Sequence, residues 1–198
     1  NSVVALDKDT LKSTLETIFS EAASVPVHPY DDTDGDSFAT LVCDAVDDYL
    51  AGIECAGYDG ATVNSATGLA GDDGDPGQKI EPVPPVTADK FRTEFKARCQ
   101  SHYDSHAAQS FSSCAAELQA DLQTFTANKS SAGTGTGTTT APATLDLDAA
   151  FDKGIAGESH SAVAQEFADQ IHAVTTGTSH AVDAFTVGSD AGTDGGGN

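Results

Sequence analysis

The residues of this chain best equipped for chemistry are its four cysteines, Cys43, Cys55, Cys99 and Cys114. Cys99 and Cys114 fall on the apolar stripes of two successive helical segments, at positions that face each other when those segments fold back as a hairpin. That placement allows a cross-helix disulfide. It equally allows two buried free thiols in a reducing compartment. Cys43 sits beside the apolar stripe of an earlier helix, and Cys55 follows twelve residues later in a Gly-rich stretch, so a bridge between them would pin that stretch to the helix. Four cysteines permit three pairings, and spacing does not choose among them. No CxxC occurs, which leaves a zinc ribbon or a thioredoxin-type redox motif unsupported.

His102 and His106 are four apart on a segment expected to end a helix, where neutral imidazoles share one face and can chelate zinc or copper. No third ligand follows at a fixed spacing, so they read as surface histidines. His160, His172 and His180 are scattered. Asp31-Asp32-Thr33-Asp34-Gly35-Asp36 has the alternating carboxylates of a calcium loop, but its glycine stands at the fourth position from Asp32 and no glutamate closes it at the twelfth. Asp72-Asp73-Gly74-Asp75 is similar, and both read as solvated loops. Gly157-Glu158-Ser159-His160-Ser161 lacks the closing glycine and the preceding strand of a nucleophile elbow. Asn128-Lys129-Ser130 is a formal sequon, a pattern common by chance. Walker, GxGxxG and HExxH patterns are absent, and the expectation is a protein without catalytic residues, cofactor or metal.

Charge narrows the function further. Asp and Glu number 31 against 9 Lys and Arg, for a formal net charge of −22 and a sequence pI near 4.1. Such a surface repels phosphate backbones and anionic lipid heads, which argues against nucleic-acid binding and polybasic membrane attachment. No apolar run approaches the roughly 20 residues of a membrane-spanning helix, so no membrane insertion is expected. Val3–Leu6 is too short for a signal-peptide core, which leaves a leader either already removed or never present. The acids are 23 Asp and only 8 Glu, a halophile-like balance, although Lys outnumbers Arg. At 1 M salt the Debye length is roughly 3 Å, so self-repulsion is screened while the carboxylates keep the surface hydrated. With 38% hydrophobic residues and neither Trp nor Met, small satellite cores are expected rather than one large core.

The elements that would position these residues are helical by period. Phe38, Leu41, Val42, Ala45, Val46, Tyr49 and Leu50 form one stripe at 3.6-residue spacing, as do Phe111, Cys114, Ala115, Leu118, Leu122 and Phe125. Leu11, Leu15, Ile18 and Phe19 precede the first, and Phe91, Phe95 and Cys99 the second. Leu147, Phe151 and Ile155, then Val163, Phe167, Ile171 and Val174, make a third pair. Asp9-Thr10 and Thr87 with Asp89 stand where N-caps are expected.

The reading is a mainly α protein of three repeated helical hairpins joined by Gly-, Thr-, Asp- and Pro-rich extended linkers. Hairpins span 1–51, 87–129 and 145–188. An irregular acidic loop, with one short strand near Ala61–Asn64, fills 52–86; a Gly-Thr linker fills 130–144, and 189–198 is a flexible tail. In the repeat, Leu11, Phe91 and Leu147 are equivalent, as are Phe19, Cys99 and Ile155. Arms this short are marginal alone, so stability must come from packing hairpins together or against other copies, and a homo-oligomer is expected.

Phe167-Ala168-Asp169-Gln170-Ile171-His172-Ala173-Val174, followed by Thr175-Thr176-Gly177-Thr178, resembles small structural proteins of tailed bacterial and archaeal viruses, in which a helix of this pattern runs into a Gly-Thr-rich segment. Gly133-Thr134-Gly135-Thr136-Gly137 repeats the second feature. The resemblance implies a virion component, a neck, tail or capsid-decorating protein whose partners are other virion structural proteins. An alternative from a different class is a secreted or surface-exposed, disulfide-stapled helical binding module in the extracellular space. A helical di-metal enzyme would need an inward ExxH motif, and the sequence has none.

Overall fold

The computed structural model describes residues 6–24, 37–53, 80–82, 87–105, 107–124, 127–129, 133–187 and 190–192. It is mainly helical. Helix α1 (Lys8–Ser24) starts behind Asp7, whose carboxylate accepts the backbone N–H of Thr10 at 2.9 Å and its hydroxyl at 2.7 Å. The cap is therefore two residues before the Asp9-Thr10 pair expected to supply it. Helix α2 (Phe38–Leu50) is capped by Ser37, whose hydroxyl accepts the N–H of Thr40. Of the expected stripe it buries Val42, Ala45, Val46, Tyr49 and Leu50, with Phe38 and Leu41 half-buried against the core.

Helix α3 (Asp89–Ser105) buries Phe91, Phe95 and Cys99, and α4 (Ser113–Leu122) buries Cys114, Leu118 and Leu122. Phe111 stands just before α4 and is buried, while Phe125 lies outside the described residues. Helix α5 (Leu147–Ile155) is capped by Asp146 and α6 (His160–Thr176) by Ser159. Helix α1 packs against α2 and α6, α2 against α3, α3 against α4, and α5 against α6. The buried side chains form one contiguous cluster rather than satellites. Phe95 is the reason: its ring lies 5.3–6.5 Å, centroid to centroid, from those of Phe38, Phe91, Phe111, Phe151 and Phe167, which come from every hairpin.

Ile155 departs from expectation. Aligned with the buried Phe19 and Cys99, it is instead 78% exposed. Helix α5 stops there after nine residues, whereas α1 and α3 run for seventeen. Its end is closed by Gly157 at φ 82°, with the N–H of Glu158 on the carbonyl of Lys153 at 2.9 Å and that of Gly157 on Gly154 at 3.0 Å. A residue with a Cβ would be strained at that φ, and this paired closure satisfies the carbonyls of the last turn.

Among the described residues five antiparallel strands form one sheet: β1 (Ile80–Pro82), β2 (Ala127–Lys129), β3 (Gly133–Thr140), β4 (Ser179–Val187) and β5 (Asp190–Gly192), side by side in that order. The Gly-Thr tract is extended, as expected, but as strand β3 paired along its length with β4 rather than as a connector. Threonine favours strands through its branched Cβ, and the alternate glycines place no bulk against the partner. The register jumps between Thr136, opposite Ala184, and Gly137, opposite Val182, so Asp183 is the extra residue of a β-bulge. Residues 179–187, assigned to the third hairpin, and 190–192, assigned to the tail, therefore belong to the sheet.

The strands meet the helices at one root. The carbonyl of Ala141 accepts Gln119 Nε2 at 2.8 Å, and Thr139 and Ala141 are buried. Gly177 ends α6 beneath Pro142, where a Cβ would come within 2.9 Å of the proline ring, so glycine is required for this approach. The strand expected near Ala61–Asn64 lies outside the described residues.

Candidate functional site

Three aspartates tie the helices together. At the start of α3, Asp121 of α4 accepts the backbone N–H of Phe91 at 2.8 Å and of Lys90 at 3.2 Å. Asp47 of α2 accepts the N–H of Ala88 at 2.8 Å. Between them they satisfy donors that helix geometry leaves unpaired. Asp148 of α5 does the same for the entry to α4, accepting the N–H of Phe111 and the hydroxyl of Ser110, both at 2.7 Å. Arg92 reaches back from α3 to Asp44 and Asp47, at 2.6 Å each. Burial opposes its charge, but these carboxylates outweigh that and hold its pKa above the ordinary arginine value. Sequence reasoning sought the α3 cap at Thr87 and Asp89; the carboxylates that serve it sit about 30 to 40 residues away and carry no local signature.

Cys43, Cys99 and Cys114 come from three successive helices, and all three are buried free thiols. Cys99, on α3, is the middle member in chain order. Burial pushes the Cys43 and Cys114 thiols up to about 12, and Cys99 higher still. Thiols so placed are poor nucleophiles and poor metal ligands, because both roles need the thiolate. Cys55, the proposed partner of Cys43, lies outside the described residues.

The hydroxyl of Tyr49 in α2 and Nδ1 of His172 in α6 share a hydrogen bond of 2.6 Å. Burial raises the tyrosine above its ordinary range. Nearby, Lys8 meets Asp169 at 2.6 Å and links α1 to α6. A groove of about 280 Å³ lies between α1 and the end of α2, lined by Leu11, Ala45 and Tyr49 with Asp7 and Asp48 at its rim. Asp7 there caps α1.

His102 Nδ1 is 2.7 Å from the carbonyl of Ala107, and His106 and the two Asp-rich loops lie outside the described residues. Ser159, in the motif compared with a nucleophile elbow, caps α6 by accepting the N–H of Ala162. Glu158 beside it is 3.7 Å from Lys153. Among the described residues no three His, Cys, Asp or Glu side chains converge to hold a metal, and no helix is long and apolar enough to cross a membrane. Comparison of the chain with models of protein families, with curated proteins and with solved structures finds no match.

Proposed function

We propose that this chain is a non-enzymatic structural component of a tailed-virus particle, a neck, tail or capsid-decorating protein that works by assembling with copies of itself and with other virion structural proteins. One observation carries the reading. The helices close a core of their own, whereas the sheet is joined to them at a narrow root and, among the described residues, no helix packs broadly on it. A sheet standing clear of its own core is suited to contacts with neighbours. The resemblance of Phe167–Val174 and the Gly-Thr tract to virion proteins points the same way.

The three packed helix pairs fit an internal repeat through Leu11, Phe91 and Leu147, all buried, with the shortened α5 as the divergent copy. The acidic surface fits a protein that works at high salt. The rival, an extracellular disulfide-stapled module, draws on Cys99 and Cys114 being buried on α3 and α4, two helices that pack together.

Solution mass by light scattering coupled to size exclusion, in dilute buffer and in about 3 M salt, separates the two. A discrete oligomer that appears or tightens with salt is the expected result. A compact monomer in both conditions would overturn the assembly reading.

A further inference from the structure

The last turn of α2 runs against an electrostatic rule. A helix C-terminus carries the negative end of the helix dipole, so cations are favoured there and carboxylates are not. Helix α2 instead ends on Asp47, Asp48, Tyr49 and Leu50, with no basic residue in that turn. Asp47 is compensated from α3: Arg92 reaches it at 2.6 Å, and it accepts the N–H of Ala88. Asp48 has no such compensation. It is exposed, and among the described residues no hydrogen bond or ion pair holds it.

Asp48 stands at the rim of the groove of about 280 Å³ between α1 and the end of α2. The buried residues Leu11, Ala45 and Tyr49 make its floor, and Thr10, Thr14, Ala51 and Gly52 line it further. Its second carboxylate, Asp7, has both oxygens engaged by Thr10. One open carboxylate and the negative end of a helix therefore stand over an apolar trough. That combination complements a cation carried on an aliphatic stem.

We propose that this groove seats a lysine side chain of a partner protein. The proposal deepens the assembly reading above, which it needs only as the source of the partner. Size limits the occupant: pockets for free small molecules run from roughly 300 to 1,000 Å³, and this groove falls below that range. Its polar residues come from two helices, which suits the three rotatable donors of an ammonium better than the planar fork of a guanidinium. Charge sets the source. Lys8, Arg92, Arg98 and Lys153 already meet carboxylates of their own chain, and copies of net charge −22 repel one another, whereas a basic partner is drawn in.

The test titrates the full-length, isotope-labelled protein with Nα-acetyl-lysine amide at about 0.15 M salt and follows the backbone amide shifts of Thr10, Thr14, Ala51 and Gly52. Nα-acetyl-norleucine amide keeps the stem without the ammonium, and Nα-acetyl-arginine amide supplies the rival cation. Asp48→Asn removes the open charge, and Thr14→Phe fills the groove from an exposed position on α1. Asp152→Asn removes an exposed acid from α5, which does not line the groove. Helical circular dichroism confirms the fold of each variant. The expected result is saturable shifts at the four residues with the lysine probe, weaker binding of both other probes, and no binding to Thr14→Phe. Asp48→Asn should weaken the lysine probe about two- to fivefold, the loss expected of one exposed ion pair, and Asp152→Asn should bind like wild type. Absent or non-saturating shifts, equal losses in Asp48→Asn and Asp152→Asn, or undiminished binding to Thr14→Phe would overturn the site. Norleucine or arginine binding as tightly as lysine would overturn the assignment of its occupant. Failure of the assembly reading shows separately, as a monomeric mass at every salt concentration.

Discussion

The carboxylate of Asp121 accepts the backbone N–H of Phe91 at 2.8 Å, so α3 is capped by the next helix instead of by its own preceding residues. Asp47 and Asp148 act in the same way on Ala88 and Phe111. In each case a helix end becomes dependent on the packing of its neighbour, and secondary and tertiary structure form together. The short side chain of aspartate suits this role, since it holds the carboxylate close to the helix that bears it and loses little rotamer freedom.

Asp121→Ala is expected to destabilise the protein by about 1–3 kcal/mol in denaturant unfolding, because it strands the buried N–H of Phe91. Thr87→Ala, at the residue where local reasoning places the cap, stays within about 0.5 kcal/mol. The pH dependence has a definite sign. Burial raises the Asp121 carboxyl above 3.8, despite the opposing pull of the Phe91 and Lys90 N–H groups. The folded protein then holds this proton more tightly than the unfolded chain, so the contribution is complete below the unfolded pKa and fades as pH rises through the folded one. Relative to Asp121→Asn, wild type is most stable in acid and loses ground toward neutral pH. A difference that grows with rising pH would contradict the assignment.

Phe95→Ala is expected to cost about 3–5 kcal/mol, the range for deleting a fully buried ring, since it removes the side chain on which rings from all three helix pairs converge. Ile155→Ser, at a position 78% exposed, should shift unfolding of the isolated chain by no more than about 0.5 kcal/mol. Were the two losses comparable, the arrangement of α5 described here would be wrong.

The helices are legible in the sequence because a 3.6-residue apolar period survives any tertiary context: Val42, Val46 and Tyr49 are buried where their spacing puts them. Ile155 fails because period says which face a residue is on, not whether a neighbour reaches that far along the helix. The sheet is hidden for two physical reasons. Glycine and threonine in β3 give no apolar alternation, and the bulge at Asp183 interrupts the two-residue period of β4. The partners in β3 and β4 are also about 40 to 55 residues apart, beyond any local pattern. Of the candidate site residues, the cysteines on helices are legible as buried positions, since each lies on or beside a stripe. Their redox state is not, because the same spacing serves a thiol pair and a disulfide.

That redox state is open to direct measurement. In the folded protein at pH 8, a thiol with a pKa of about 12 is ionised in roughly one molecule in ten thousand, and burial also excludes the reagent. Cys43, Cys99 and Cys114 should therefore resist iodoacetamide while folded and alkylate together once unfolded, with mass spectrometry counting the adducts. The melting temperature should be the same with and without reductant. Protein purified without reductant in which Cys99 and Cys114 resist alkylation even when unfolded, and which melts lower once reduced, would instead carry the cross-helix bridge. Its stability would then come partly from restricting the unfolded chain, and the extracellular stapled module would become the better reading.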